Sequence, residues 1–199
     1  MITLVENIRE ALANELDMYL DIKVVFQDKD DIGPGNRVRE TISIGLCESV
    51  VMILLYTPKY FSPMKLFCSS ELEGMLRLED KRTKKSSFPK TSMVIPIMLR
   101  GSVSDLPHDL QNRNPVDFTG LSMASPDVMR NPENMLKIRG VAEKIHTLFQ
   151  KLESTGKSFC EDCAGFLILD ENDSNDRKRI EAFVKQYKGP SWKPEFVIS

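Results

Sequence analysis

The side chains able to do chemistry are few and widely spread. Cys160 and Cys163 form a Cys-x-x-Cys pair, a spacing used both for zinc ligation and for thiol exchange. No second pair accompanies it, so a four-ligand zinc site within one chain is not expected. The two histidines, His108 and His146, do not repair this: one lies in a Pro-containing stretch, the other on the border of a helical face. We expect no metal. Hydrolysis by Ser, His and Asp would need a nucleophile elbow such as G-x-S-x-G, which the chain lacks. Gly33 and Gly35 do not make a phosphate loop, because no Gly-Lys-Ser/Thr follows them. What the carboxylates can do depends on the elements that carry them.

Those elements alternate. Leu4, Ile8, Leu12 and Leu16 recur every four residues behind a Thr3/Glu6 capping box, predicting an amphipathic first helix. Lys23–Gln27 is a β-branched and aromatic run, hence a buried strand, and it breaks into a Gly- and Pro-rich loop, Asp28–Gly35. Asn36 can cap a second helix with Val38, Ile42 and Leu46 on one face. Val50–Tyr56 is a continuous apolar run, the mark of a strand covered on both faces. A helix is expected from Ser69 or Ser70, where Ser70 and Glu73 have capping-box spacing. Met93–Leu99 reads as a strand placed near the sheet edge by Pro96, and Val116–Phe118 as a short one. Asn131-Pro132 opens a helix carrying Met135, Ile138, Ala142, Ile145, Phe149 and Leu152. Beyond a polar linker from Glu153, Gly165–Asp170 reads as a strand, Asp176–Tyr187 as a helix and Glu195–Ser199 as a last extended piece. Such alternation predicts an α/β fold with a largely parallel sheet and helices on both faces.

Composition narrows the function classes. At 199 residues the chain fits one domain with a tail and can bury a full core. Twenty-seven basic and 29 acidic residues give a net charge of −2, which argues against nucleic acid as a main partner. The basic run Lys81–Lys85 reads as a solvated loop. The start, MITLVENIRE, has no secretory pattern, and the longest apolar run is far short of a bilayer span. Four cysteines do not suggest a disulfide scaffold, so a cytoplasmic location without membrane partners is expected.

Two blocks carry a resemblance. Val25-Phe26-Gln27-Asp28 with Asp31-Ile32-Gly33-Pro34-Gly35 is similar to the second strand and BB loop of TIR (Toll/interleukin-1 receptor) domains. The stretch from Val51 through Thr57-Pro58-Lys59-Tyr60 to Phe67-Cys68-Ser69-Ser70-Glu71-Leu72 resembles the family's third strand, its "S/T-P-x-Y" turn and its "W-C-x-x-E-L" helix start. Phe67 stands where the family usually has Trp. The loop looks closer to microbial and plant members than to animal receptors. The resemblance covers residues 1–152 and implies a flavodoxin-like parallel sheet of order 2-1-3-4-5. The family's first strand, of the form "D-V-F-I-S-Y", has no counterpart before the first helix. Residues 153–199 form a C-terminal extension that matches nothing familiar. Either the N-terminus is truncated or its start misassigned, or 195–199 supply the strand by folding back, by swapping into a neighbour, or as the opening of a second unit.

The resemblance also implies chemistry. In NAD-cleaving members a glutamate at the position of Glu71 is essential. Cleaving the nicotinamide–ribose bond develops oxocarbenium-like charge on the sugar, which a carboxylate stabilises. Nicotinamide leaves as a neutral group, so no strong general acid is needed. NAD would be the substrate, and no cofactor is implied. Against this, Glu71 in a first helical turn would be favoured simply by the helix dipole, and non-catalytic TIR adaptors carry a similar glutamate. Phe26 could stack on the nucleotide, although a core role accounts for it better. Asp30, Asp31, Ile32, Gly33, Pro34 and Gly35 of the BB loop would contact other TIR domains or a second copy; a plain exposed turn is the simpler alternative. Three functions stay open: a NAD-cleaving signalling or defence protein active on self-assembly, a non-catalytic interaction module, and a sensor that binds NAD-like ligands without turnover.

Overall fold

The computed structural model describes residues 2–20, 37–62, 65–84, 92–121, 130–154 and 163–187. Helix α1 spans Ile2–Asp17 and buries Leu4, Ile8, Leu12 and Leu16, the four residues of the apolar stripe. The helix already runs at Ile2, one residue ahead of Thr3. Helix α2, Val38–Glu48, starts after Arg37 with no side-chain cap. Ile42 and Leu46 are buried there, but Val38, at the exposed first position of the helix, points to solvent. Strand β1 (Met52–Tyr56), helix α3 (Leu66–Thr83) and strand β2 (Val94–Met98) follow. Helix α3 takes in Lys81, Arg82 and Thr83 and buries Arg82 against the Cys47 and Ser49 carbonyls, which corrects the solvated loop expected for the basic run. A 3-10 turn, Val103–Asp105, leads to the short helix α4 (His108–Gln111) and strand β3 (Val116–Asp117). Helix α5, Pro132–Glu153, opens as its sequence predicts: the Asn131 side chain accepts from the Glu133 N–H at 2.9 Å, and Pro132 occupies the first helical turn. Helix α6 spans Ser174–Tyr187.

The described strands form a parallel sheet in the order β1-β2-β3. Strand β2 is therefore central, which corrects the edge position expected from Pro96. The Met98 carbonyl accepts from Phe118 N–H on the β3 side, whereas the Met93 carbonyl and the Leu99 N–H pair with β1. Pro96 shares the parity of Met98, so its missing N–H faces β3. Pairing there begins only at Ile97 with Val116, and no ladder bond is lost.

Side-chain alternation along β2 divides the core into two layers. Val94 and Met98 pack with Leu54, Tyr56 and the buried faces of α2, α3 and α6. Ile95 and Ile97 pack with α1, α5 and Phe118. Helices thus cover both faces of a flavodoxin-like parallel sheet, as expected.

The C-terminal segment departs from expectation in its detail. Residues 166–170 have no regular secondary structure and join no ladder. Their backbone groups bond to side chains of the neighbouring helices: Ile168 N–H donates to Ser43 Oγ (3.1 Å), Arg39 Nε donates to the Ile168 carbonyl (2.7 Å), and Arg77 Nη2 donates to the Leu167 carbonyl (2.7 Å). These bonds stand in for part of the ladder a sheet partner would supply. Asp173 then accepts from the N–H groups of Asn175 and Asp176, both at 2.9 Å, which starts α6 two residues earlier than predicted. Cys47 of α2 is disulfide-bonded to Cys163, with Cα atoms 5.6 Å apart. The cysteine spacing hid this bond, because its partners lie 116 residues apart. The predicted strand 23–27, the loop 28–35 and the tail 195–199 lie outside the described residues.

Candidate functional site

The apolar run ending in Tyr56 forms β1, and Thr57-Pro58-Lys59-Tyr60 turns the chain away from the sheet. The turn closes with Tyr60 N–H donating to the Thr57 carbonyl (2.8 Å) and Ser62 N–H donating to that of Lys59 (3.1 Å). Helix α3 starts at Leu66. The site therefore stands at the C-terminal ends of parallel strands, where open α/β sheets place their ligand crevices.

Glu71 lies in the second turn of α3 and is half-buried. Its expected position in the first turn, from Ser69 or Ser70, is corrected by the earlier start. Ser70 does not cap the helix; its Oγ donates back to the Phe67 carbonyl at 2.8 Å. No acidic residue occupies the first turn of α3. Because the dipole effect fades within that turn, it does not explain a carboxylate at position 71.

Tyr60 is the neighbour that gives Glu71 a defined setting. The Tyr60 hydroxyl donates to the Cys68 carbonyl at 2.9 Å, tying the turn to the start of the helix. Burial first, then the adjoining Cys68 and Glu71 side chains, push the Tyr60 phenol well above its ordinary range. It stays a neutral donor at any physiological pH, with the Glu71 carboxylate close enough to be felt. Cys68 and Glu71 share a helix face at i, i+3. Phe61 meets Tyr60 edge-on, with ring centroids 5.0 Å apart, and Tyr56 at 6.3 Å. Phe67, in the place of the family's Trp, is partly buried against the same core.

A second loop closes on this one. Gly101, after β2, has φ of 91°, and a Cβ there would meet Asp105 Oδ2 at 2.9 Å and Pro58 Cγ at 3.3 Å. Only glycine satisfies both the backbone and the space. Asp105 Oδ2 accepts from Ser102 N–H (2.7 Å), and the Tyr56 hydroxyl donates to the Asp105 carbonyl (3.2 Å). Sequence reading did not single out Gly101, Tyr56 or Asp105 for the site. The visible signal is a glycine two residues past the apolar run Met93–Leu99.

Of the residues expected at the site, the described part of the molecule holds Glu71 and sets it beside Tyr60 and Cys68. Phe26 and the BB-loop residues Asp30, Asp31, Ile32, Gly33, Pro34 and Gly35 lie outside the described residues. Among the described residues no three His, Cys, Asp or Glu side chains group as metal ligands. No described helix is long and apolar enough to cross a membrane.

Comparison with curated proteins and with solved structures finds no match. The model of one family, the TIR domain, matches residues 3–130, well over half of the 199-residue chain and inclusive of the whole β1–α3 site. With a parallel sheet covered by helices on both faces and the turn-to-helix junction that carried the resemblance, this chain belongs to the TIR domain family of signalling modules.

Proposed function

We propose that this TIR domain cleaves NAD, with Glu71 as the catalytic carboxylate. The observation that carries the reading is the placement of Glu71: second turn of α3, half-buried, at the C-terminal end of the sheet, beside a phenol held neutral. A helix dipole does not account for a charge there. In the reaction the nicotinamide–ribose bond breaks and its electron pair leaves with neutral nicotinamide. The sugar becomes oxocarbenium-like, and the Glu71 carboxylate stabilises that charge. Water then adds to the sugar carbon and loses a proton, giving ADP-ribose. NAD enters as substrate, and the domain uses no cofactor of its own.

Activity in this reading depends on self-assembly through the loop 28–35, with other copies of the domain as partners, in the cytoplasm where NAD is held. Phe26 stacks on the nucleotide. Incubating concentrated protein with NAD and following nicotinamide by chromatography tests the proposal. The wild type should release nicotinamide; Glu71→Ala should not, while its self-association stays unchanged. No release from the wild type would identify a non-catalytic interaction module. Ligand-induced thermal stabilisation without product would identify a sensor.

A further inference from the structure

We propose that the Cys47–Cys163 bond is a thiol-exchange latch that fastens the C-terminal segment 163–187 to α2 and α3. The inference rests on the cytoplasmic location proposed above, where a disulfide is ordinarily transient or redox-sensing, and the surroundings of this bond give its two sulfurs different roles. Cys47 is 1% exposed, whereas Cys163 is half-buried and opens the segment. The Arg82 side chain, also 1% exposed, places Nη2 3.8 Å from Cys47 Sγ. The same nitrogen donates to the Cys47 carbonyl, and Nη1 donates to that of Ser49 at 3.3 Å. A fixed, buried guanidinium therefore faces one sulfur of the pair.

This asymmetry sets the direction of exchange. A small thiolate reaches Cys163 Sγ, forms a new S–S bond there and breaks the bond to Cys47. The electron pair leaves on Cys47 Sγ as a thiolate facing Arg82, and a stabilised leaving thiolate departs faster. A second thiolate attacks the mixed disulfide and releases Cys163. In total the protein disulfide is reduced by two electrons and the small thiol is oxidised to its own disulfide. What the latch holds is the outer cover of α3: Ile168 lies against Gly74, three residues beyond Glu71, with Cγ2 2.9 Å from where a Cβ would stand. The Arg77 guanidinium lies 5.3 Å from the Phe166 ring centroid. Arg39 pairs with Asp176 at 3.3 Å and Asp170 at 3.8 Å. Once the bond opens, only non-covalent contacts retain the segment: these, the backbone bonds from Ser43, Arg39 and Arg77, and the apolar packing of Ile168, Leu169, Ile180 and Val184.

The test uses the full chain, purified without reductant. Alkylation under denaturing conditions and peptide mapping should find Cys47 linked to Cys163, with the other two of the four cysteines modified. Limiting glutathione should give an adduct on Cys163, not Cys47. Dithiothreitol should raise amide exchange in residues 166–187 at least about tenfold by freeing a low-stability unit. Cys163→Ser, a change at a half-buried position, should show the raised exchange with or without reductant. A different linkage, an adduct on Cys47, or exchange in 166–187 indifferent to dithiothreitol would each overturn the proposal.

Discussion

Tyr56 shows how one side chain can tie a strand end to the loop beside it. Burial foremost, with Asp105 nearby, pushes its phenol up to about 12, against about 10 in an unfolded chain. Between pH 10 and 12 the unfolded chain gives up this proton while the folded chain keeps it. Stability that is whole below pH 10 is therefore lost as pH rises towards 12. In urea unfolding at pH 9 and 11, the wild type should lose about 1 kcal/mol more than Tyr56→Phe. Equal losses would mean that the hydroxyl gains nothing from its place at Asp105. Glu71 is read at the same scale: its meaning comes from the position of the helix start, which decides whether a dipole or a neighbour explains the charge.

At the scale of elements, the α3 face towards the C-terminal segment is a close junction. Gly74 leaves room for Ile168 Cγ2 where a Cβ would fall at 2.9 Å. Gly74→Val adds bulk against a β-branched neighbour that has little freedom to move. Glycine is a poor helix former, so the substitution recovers part of about 1 kcal/mol in propensity, while overpacking costs about 1–3 kcal/mol. The net expectation is a lower urea midpoint and faster exchange in residues 166–170; an unchanged midpoint would show that the junction is loose.

Strong periodicity made much of this architecture legible: the α1 stripe at every fourth residue, Val50–Tyr56 as a covered strand, and Asn131-Pro132 as a helix start. Where the sequence misled, a local rule met a tertiary alternative. Pro96 signalled an edge, yet its parity and the shortness of β3 let it sit centrally. Ser70 and Glu73 had capping-box spacing, yet the helix began at Leu66 without a side-chain cap. Gly165–Asp170 had strand composition, yet Arg39, Ser43 and Arg77 took its backbone bonds. At the site, Glu71 was legible only through the family resemblance, while its link to Tyr60 required the turn geometry.

Across the whole molecule, the disulfide joins residues 116 positions apart and encloses the sheet strands and the β1–α3 site. Closing so long a loop in the unfolded chain contributes stability on the order of 5 kcal/mol in the chain-entropy account, of which native-state strain and denatured-state structure take back a part. Adding dithiothreitol should lower the unfolding free energy by about 2–4 kcal/mol, and Cys163→Ser should lower it similarly and then ignore the reductant. A wild type whose urea curve is the same in both redox states would remove the bond from the account of stability. The two core layers do not depend on it, so the reduced chain should still unfold cooperatively.

The catalytic role of Glu71 is tested most directly by the initial rate of nicotinamide release from NAD, measured across protein concentration for wild type and Glu71→Gln. The glutamine keeps the shape of Glu71 and removes its charge. We predict release by the wild type that grows more than proportionally with concentration, and at least about a hundredfold loss in Glu71→Gln with self-association unchanged in sedimentation. Equal rates from the two proteins, or no release from the wild type at any concentration, would contradict the assignment of Glu71 as a catalytic carboxylate.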